Sequence, residues 1–222
     1  MRRFFEVPAH VGIYVLAILL AVVQAYDILT RPLPLPQVVE VANRSVVAIA
    51  CKSGAHMFIT AGFVSSERGY VTTVAHGLPA CRGKEGNIEV KFWDNPLTYK
   101  AKIVRYNKMV DVAILHIDHM PRIAPLRFAT EEPRAGTHII ALGHPQMLFW
   151  SASDGIISAD RWSEHPLLHI IQVSCPINFG NSGGPVINDK GQVVGITSFM
   201  INNPSLGFII AGDFVKSVAN GL

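Results

Sequence analysis

The residues best suited to chemistry lie in the stretch INFGNSGGPVIN, where Ser182 stands among Gly180, Gly183 and Gly184. A serine hydroxyl becomes a nucleophile only when a base takes its proton and a third group orients that base. The oxyanion that then forms needs backbone N–H donors, and a tight glycine-rich turn can supply them from Gly180 and Ser182. The alternative interpretation is a plain turn with a solvated serine, but this stretch is more elaborate than a hairpin requires.

Two other residues could complete such a site. His76 follows the apolar run of VTTVAHG, and Asp111 begins the apolar run of DVAILHI. Each is weak evidence alone, because most histidines and most aspartates that precede strands have structural roles. With Ser182 they give the order His, Asp, Ser at separations of 35 and 71 residues. Chymotrypsin-type barrels use this order, whereas subtilisin and the α/β-hydrolases use others.

Short segments rich in β-branched residues must position these side chains. Six of them, separated by Gly, Pro or Asn, lie in about 44–118, and six more lie in about 135–212, after a linker near 119–135. The pattern predicts an all-β fold of two packed six-stranded β-barrels, with a β-sandwich as the runner-up. QVVEVANR predicts a short helix before the first barrel. DFVKSVANGL predicts a closing helix with Asp213 as its N-cap.

The order of sequence blocks resembles that of the trypsin-like serine proteases of the HtrA/Deg type over residues 38–218. The blocks that carry the resemblance are VANRSVVAI, TAGFVSSERGYVTTVAHGL, DVAILHI, ALGHP, DGIISA, INFGNSGGPVINDKGQVVGITS and LGFIIAGDFVKSV. Members of this family usually carry PDZ domains after the protease, and we expect this chain to lack one.

The resemblance implies an active site in the cleft between the two barrels of a chymotrypsin-like fold. His76, Asp111 and Ser182 would form the catalytic triad, and the amides of Gly180 and Ser182, with Asn181, would hold the oxyanion. The reaction implied is hydrolysis of peptide bonds in protein or peptide substrates through an acyl-enzyme. No metal and no cofactor are required.

Alignment to the family places the specificity pocket at Ile177, Phe199 and Met200. None of these residues is acidic, so a preference for arginine or lysine is not expected. The bulk of Phe199 favours a small aliphatic substrate side chain such as alanine or valine. Alternatively, Phe199 points into the core and carries no information about the substrate.

The chain has three cysteines, an odd number, so at least one of them stays free or pairs with another chain. In the chymotrypsin-type fold, the end of the first strand lies near the segment that follows the catalytic histidine. The resemblance therefore implies a Cys51–Cys81 disulfide that clamps the histidine loop. Cys175 lies in an apolar segment and is expected to be an inert buried thiol.

The N-terminus departs from the globular composition of the rest of the chain. Residues 1–30 contain an uncharged run from Val11 to Tyr26 behind two arginines, which predicts a signal anchor that crosses a membrane. A signal peptide cleaved after Ala25 is the alternative. Residues 31–36, RPLPLP, predict a stiff extended linker, and 37–222 would be the protease domain, exported to the periplasm or another extracytoplasmic space.

Composition narrows the function classes further. Half of the residues are apolar, and the net charge of +3 comes from scattered basic residues, so we expect no nucleic-acid partner. The favoured function is a serine endopeptidase that processes exported proteins or controls their quality, and the resemblance allows a homo-oligomer. The alternative is a catalytically silent protease fold that binds peptides or acts as a scaffold.

Overall fold

The structure is a computed structural model that describes residues 9–30, 33–82, 87–162, 168–201 and 206–219. The chain forms two compact units, Met1–Leu33 and Pro34–Leu222.

Among the described residues of the first unit, Ala9–Thr30 form helix α1. This confirms the predicted N-terminal helix. Within the described part of the chain, no helix has the length and apolar character that crossing a membrane demands. The membrane anchor therefore remains a prediction from the sequence.

The second unit opens with helix α2, Leu35–Asn43. The prediction of an extended linker over 31–36 is wrong for its last two residues, while residues 31 and 32 lie outside the described residues. Pro34 occupies the N-cap position and Pro36 the first turn, where a missing N–H costs no intrahelical hydrogen bond. Val38 and Ala42 of α2 are buried in the core of this unit.

The first barrel is built from six antiparallel strands, which close in the order β1-β2-β3-β6-β5-β4. Their bounds are β1 Val46–Ser53, β2 His56–Ser66, β3 Tyr70–Val74, β4 Ile88–Phe92, β5 Thr98–Asn107 and β6 Val112–His116. All six fall in the segment predicted for this barrel.

The second barrel closes in the order β10-β11-β12-β9-β8-β7. Its strands are β7 His138–Gly143, β8 Ser151–Trp162, β9 His169–Val173, β10 Pro185–Ile187, β11 Val193–Met200 and β12 Gly207–Ala211. The closing helix α3 spans Gly212–Ala219. Asp213 therefore lies inside its first turn and is not the N-cap. The all-β prediction of two six-stranded barrels with a closing helix is confirmed.

A shared core holds the barrels against each other and so sets the geometry of the cleft between them. Phe63 and Val112 of the first barrel and Leu142 and Ile196 of the second belong to one cluster of buried side chains. Val215 of α3 joins the same cluster. Burying a large apolar side chain of this kind contributes about 1.5–3 kcal/mol.

The connection between the barrels is ordered by backbone hydrogen bonds to both. Leu126 N donates to Val64 O in the first barrel at 3.0 Å, and Val193 N in the second donates to Arg127 O at 2.8 Å. Ala129 N returns a bond to Val193 O at 2.9 Å. The linker, which has no strong periodicity in the sequence, therefore belongs to the barrel interface.

Candidate active site

The register of β3 and β6 brings His76 next to Asp111. Val74 pairs with Val112, so the residues just beyond the end of β3 meet those just before the start of β6. Asp111 Oδ1 accepts from the His76 backbone N at 2.8 Å, and Asp111 Oδ2 lies 2.7 Å from His76 Nδ1. A carboxylate can only accept, so Nδ1 carries the proton and Nε2 is left as the basic nitrogen.

Asp111 has a positive φ of 53°, a region in which aspartate and asparagine are enriched. The Ala75 N also donates to Asp111 O at 3.2 Å, so backbone as well as side chain joins the two segments. Asp111 is thus fixed in position by one hydrogen bond from Ala75 to its backbone carbonyl oxygen and two from His76 to its carboxylate.

Ser198 on β11 is a residue that sequence reasoning missed. Its Oγ donates to Asp111 Oδ2 at 2.9 Å, so one carboxylate oxygen faces both Ser198 and His76. The Ser198 carbonyl oxygen accepts from Ser182 Oγ at 3.4 Å. Among the described residues, Ser182 Oγ donates its hydrogen bond to Ser198 and makes no hydrogen bond with His76. Nothing in ITSFM distinguishes Ser198 from an ordinary strand serine.

The backbone around Ser182 needs glycine at Gly180. Its φ is +100°, and a Cβ there would lie 2.1 Å from the carbonyl oxygen of His144. Both the conformation and the close approach exclude a side chain. The glycine therefore lets the serine loop pack directly against the segment that follows β7.

The amides of the serine loop divide into two groups. Asn181 N donates to Asn178 O at 3.0 Å, and Gly183 N donates to Thr197 O at 2.7 Å. Within the described residues, the amides of Gly180 and Ser182 have no hydrogen-bond acceptor. The two amides that the sequence predicts as oxyanion donors are thus available, whereas the amide of Asn181 is bonded inside the loop.

The serine loop is also attached to the first barrel. Ser182 O accepts from the backbone N of Ala61 at 2.9 Å and from the hydroxyl of Thr60, both on β2. Thr73 on β3 donates its hydroxyl to Ala61 O at 2.7 Å. These bonds join Ser182 to β2 of the first barrel and join β2 to β3.

A buried histidine supports the other side of the loop. His144 N donates to Gly180 O at 3.3 Å, and its ring accepts from Trp150 N through Nδ1 at 3.0 Å. The side chain is fully buried, and this burial lowers the pKa of His144, an effect that the nearby Val47 and Gly143 backbones partly oppose. His144 is therefore a neutral packing and hydrogen-bonding residue behind the oxyanion donors.

The three residues assigned to the specificity pocket take different positions. Ile177 is only 2% exposed and packs against Gly207, where a Cβ would lie 2.3 Å from its Cγ1. Phe199 is 40% exposed and stacks on Phe208, with ring centroids 4.9 Å apart. Phe199 therefore does not point into the core. Met200 is half-buried at the end of β11.

The three cysteines form one disulfide and one free thiol, as the resemblance implies. Cys51 at the end region of β1 and Cys81 after the histidine loop form a disulfide, with their Cα atoms 5.9 Å apart. Cys175 is a free, buried thiol. Burial raises the pKa of Cys175 to about 12, which keeps it protonated and unreactive at neutral pH.

The chain is similar to known proteins over about 70% of its length. The model of the trypsin-like peptidase domain matches residues 59–196. A probable periplasmic serine endoprotease of the DegP-like type from Rhizobium meliloti is 30% identical over 168 residues, which cover 72% of this chain and 32% of that protein. Serine protease HTRA4 of Homo sapiens is 31% identical over 162 residues, which cover 70% and 33% of the two proteins. The chain thus spans about a third of the length of these relatives.

Solved structures show the same architecture. The serine endoprotease of Yersinia pestis superposes with a TM-score of 0.74 at 26% identity, over 85% of this chain and 66% of that one. A protease of Mycobacterium tuberculosis in its active form gives 0.74 at 28% identity, over 85% and 86% of the two chains. The two barrels form the chymotrypsin-like fold, and the chain belongs to the family of trypsin-like peptidase domains.

Proposed function

We propose that the chain is a serine endopeptidase in which Ser182 is the nucleophile, His76 the general base and Asp111 the group that orients the base. The observation that carries the proposal is the double hydrogen bond of Asp111 to His76, at 2.8 and 2.7 Å, with Ser198 joining the same carboxylate to Ser182. Because the amides of Gly180 and Ser182 have no acceptor among the described residues, donors for an oxyanion stand beside the nucleophile.

The reaction begins when Ser182 Oγ turns from the Ser198 carbonyl oxygen toward His76 Nε2. Oγ attacks the substrate carbonyl carbon as its proton passes to Nε2, and the amides of Gly180 and Ser182 donate to the oxyanion. The C–N bond then breaks, and His76 gives its proton to the leaving amine. A water molecule attacks the acyl-enzyme by the same steps and frees Ser182.

The substrate lies in extended form along the end of β11. The pairing between β10 and β11 reaches only to Ile196, so Ser198–Met200 can receive a peptide strand on that side. The residues assigned to the specificity pocket include no acidic side chain, and Ile177 among them is buried and apolar. The proposed cleavage is therefore after small aliphatic residues such as alanine or valine.

The cellular role follows from the relatives and from the N-terminal segment. A DegP-like relative is named as periplasmic, which supports export of residues 37–222 and a role in processing exported proteins or controlling their quality. In this proposal, residues 1–30 act as anchor or signal peptide, and α2 begins within the segment 31–36.

The test is cleavage of an unfolded protein by the full chain. We expect casein to be hydrolysed by the wild type, with new C-termini enriched in small aliphatic residues by mass spectrometry. Ser182→Ala should abolish cleavage, and Asp111→Asn should lower kcat by about 10³–10⁴-fold through loss of the oriented tautomer. Asparagine also tolerates the positive φ of Asp111, so the variant should fold. Cleavage that persists in Ser182→Ala would refute the proposal, and a folded but inactive wild type would favour the silent scaffold.

A further inference from the structure

A groove of about 480 Å³ lies on the outer face of the second barrel, beside the end of β11. It crosses a row of paired strands, in which Phe199 on β11 faces Phe208 on β12 and Phe208 faces Gln172 on β9. Arg161 on β8 borders the same groove. We call this surface the Phe199 groove, and its lining includes Arg161, Ile170, Gln172, Phe199, Ile201 and Phe208.

The floor of the Phe199 groove is an exposed aromatic stack. The rings of Phe199 and Phe208 lie nearly parallel, with an interplanar angle of 14°. Ile201 beside them is 47% exposed. Large apolar side chains exposed together in a concave surface indicate a binding site for an apolar group.

The rim of the Phe199 groove carries a positive charge held in place. Arg161 Nε donates to Gln172 Oε1 at 3.1 Å, which orients the guanidinium at the edge of the aromatic floor. Arg161 is the one charged side chain among the described residues that line the groove. The remaining guanidinium donors suit a carboxylate, which arginine can bind through two parallel hydrogen bonds.

The Phe199 groove continues directly from the proposed catalytic site. Phe199 follows Ser198, whose carbonyl oxygen accepts from Ser182 Oγ and whose hydroxyl contacts Asp111. A substrate strand that runs along Ser198–Met200, as in the proposed function, therefore passes over the groove.

We infer that the Phe199 groove is a second specificity subsite, which binds an acidic side chain at Arg161 and an apolar one on Phe199 and Phe208. Both side chains belong to the substrate segment upstream of the scissile bond. The inference rests on the proposed function, because it uses the substrate path through the catalytic cleft. Through Arg161, this subsite would select for a negatively charged substrate side chain, which the buried, apolar Ile177 cannot do.

Binding to the full chain carrying Ser182→Ala tests this subsite without requiring cleavage. The probes are fluorescein-labelled octapeptides with valine at position six, which supplies the small aliphatic residue expected before the scissile bond. Each peptide carries glutamate at one of positions one to five, with leucine or alanine at the other positions. For each peptide, a control peptide has glutamine in place of the glutamate. Fluorescence anisotropy measures Kd for every pair.

We expect glutamate at one position to bind about threefold to tenfold more tightly than glutamine, as for a charged hydrogen bond at a partly exposed site. Arg161→Ala should remove this difference, and Arg161→Glu should instead favour a lysine peptide at the same position. Arg68→Ala, which removes an exposed arginine from the first barrel, should leave the difference unchanged.

Three results would overturn the inference: no glutamate preference at any position, a preference that survives Arg161→Ala, or no measurable binding by any peptide. Wild-type cleavage without an acidic preference would overturn the inference alone. An acidic preference in binding with no cleavage by the wild type would overturn the proposed activity and leave the subsite supported.

Discussion

Ser198 Oγ donates a hydrogen bond to Asp111 Oδ2 at 2.9 Å, the same oxygen that lies 2.7 Å from His76 Nδ1. The two residues come from different barrels, since Asp111 precedes β6 and Ser198 lies on β11. The carboxylate that orients the proposed base is therefore itself positioned by the second barrel. Relative movement of the barrels would break the contact of Ser198 with Asp111 and so disturb the group that orients His76.

Replacing Ser198 by alanine tests whether this contact positions Asp111. We expect Ser198→Ala to lower kcat about tenfold with little change in KM, because a hydrogen bond to a charged group contributes about 1.5–3 kcal/mol. The backbone carbonyl of Ser198 remains, so peptide binding should be retained. Steady-state kinetics on a peptide substrate measures both constants. An unchanged kcat, or a rise in KM alone, would contradict the positioning role.

Gly180 provides a second test, with a matched control in the same barrel. Gly180 and Gly136 both have positive φ values, +100° and +87°, but only at Gly180 would a Cβ collide with another residue, His144. Alanine at Gly136 should lower the free energy of unfolding by about 1–2 kcal/mol through backbone strain, and alanine at Gly180 should lower it by more, because its Cβ also meets the His144 carbonyl oxygen. Only Gly180→Ala should also reduce kcat/KM, by about a hundredfold or more, because it displaces an oxyanion donor. Equal activity of the two variants would argue against this role of the Gly180 amide.

The Cys51–Cys81 disulfide is expected to stabilise the folded protein. Cys51 and Cys81 are 30 residues apart, and closing such a loop stabilises the folded state by about 3–4 kcal/mol through the entropy of the unfolded chain. Chemical denaturation of Cys51→Ala/Cys81→Ala should show that loss. Cys175→Ala should cost only about 1 kcal/mol, because it removes a buried thiol without changing the chain connectivity. Finding free thiols at Cys51 and Cys81 in the unreduced protein would contradict the pairing.

His144 predicts how stability depends on pH. Burial lowers its pKa from the ordinary value of 6.5, so the unfolded chain takes up the proton more readily than the folded one. The stability that neutral His144 provides is complete above pH 6.5 and decreases as the pH falls below that value. His144→Asn keeps an acceptor for Trp150 N and should flatten this decrease in melting temperature between about pH 6.5 and 5.

The exposed His56 supplies the control for that experiment. His56→Asn should retain the wild-type dependence of melting temperature on pH in the same window. Parallel curves for the wild type and His144→Asn would show that another group causes the decrease.

The sequence predicts the barrels well because each strand carries its own signal. Segments such as SVVAIACK and GQVVGITSFM combine β-branched residues with flanking turn residues, and both form strands in the predicted barrels. The positions of His76 and Asp111 were also accessible, because each lies where an apolar strand meets a turn. Local pattern and tertiary structure agree at these elements.

Other features depend on tertiary contacts that leave no local pattern. Ser198 contacts Asp111 only when the two barrels pack against each other. The Asn181 amide donates to Asn178 O because of the turn that the loop adopts. The presence of Pro36 predicted a non-helical segment, yet Pro36 lies in the first turn of α2, where no intrahelical hydrogen bond needs its missing N–H. The stacking of Phe199 on Phe208 likewise follows from the pairing of β11 with β12.

The most direct test of the His76–Asp111–Ser182 assignment is labelling of the full chain with a fluorophosphonate probe, with the modified residue located by mass spectrometry. We predict a single adduct on Ser182 in the wild type and a labelling rate at least a hundredfold lower in His76→Ala, since the base is needed to activate the hydroxyl. The experiment is repeated with unfolded protein added, so that a resting enzyme is also detected. No adduct on Ser182 under either condition, or equal labelling of His76→Ala, would contradict the assignment.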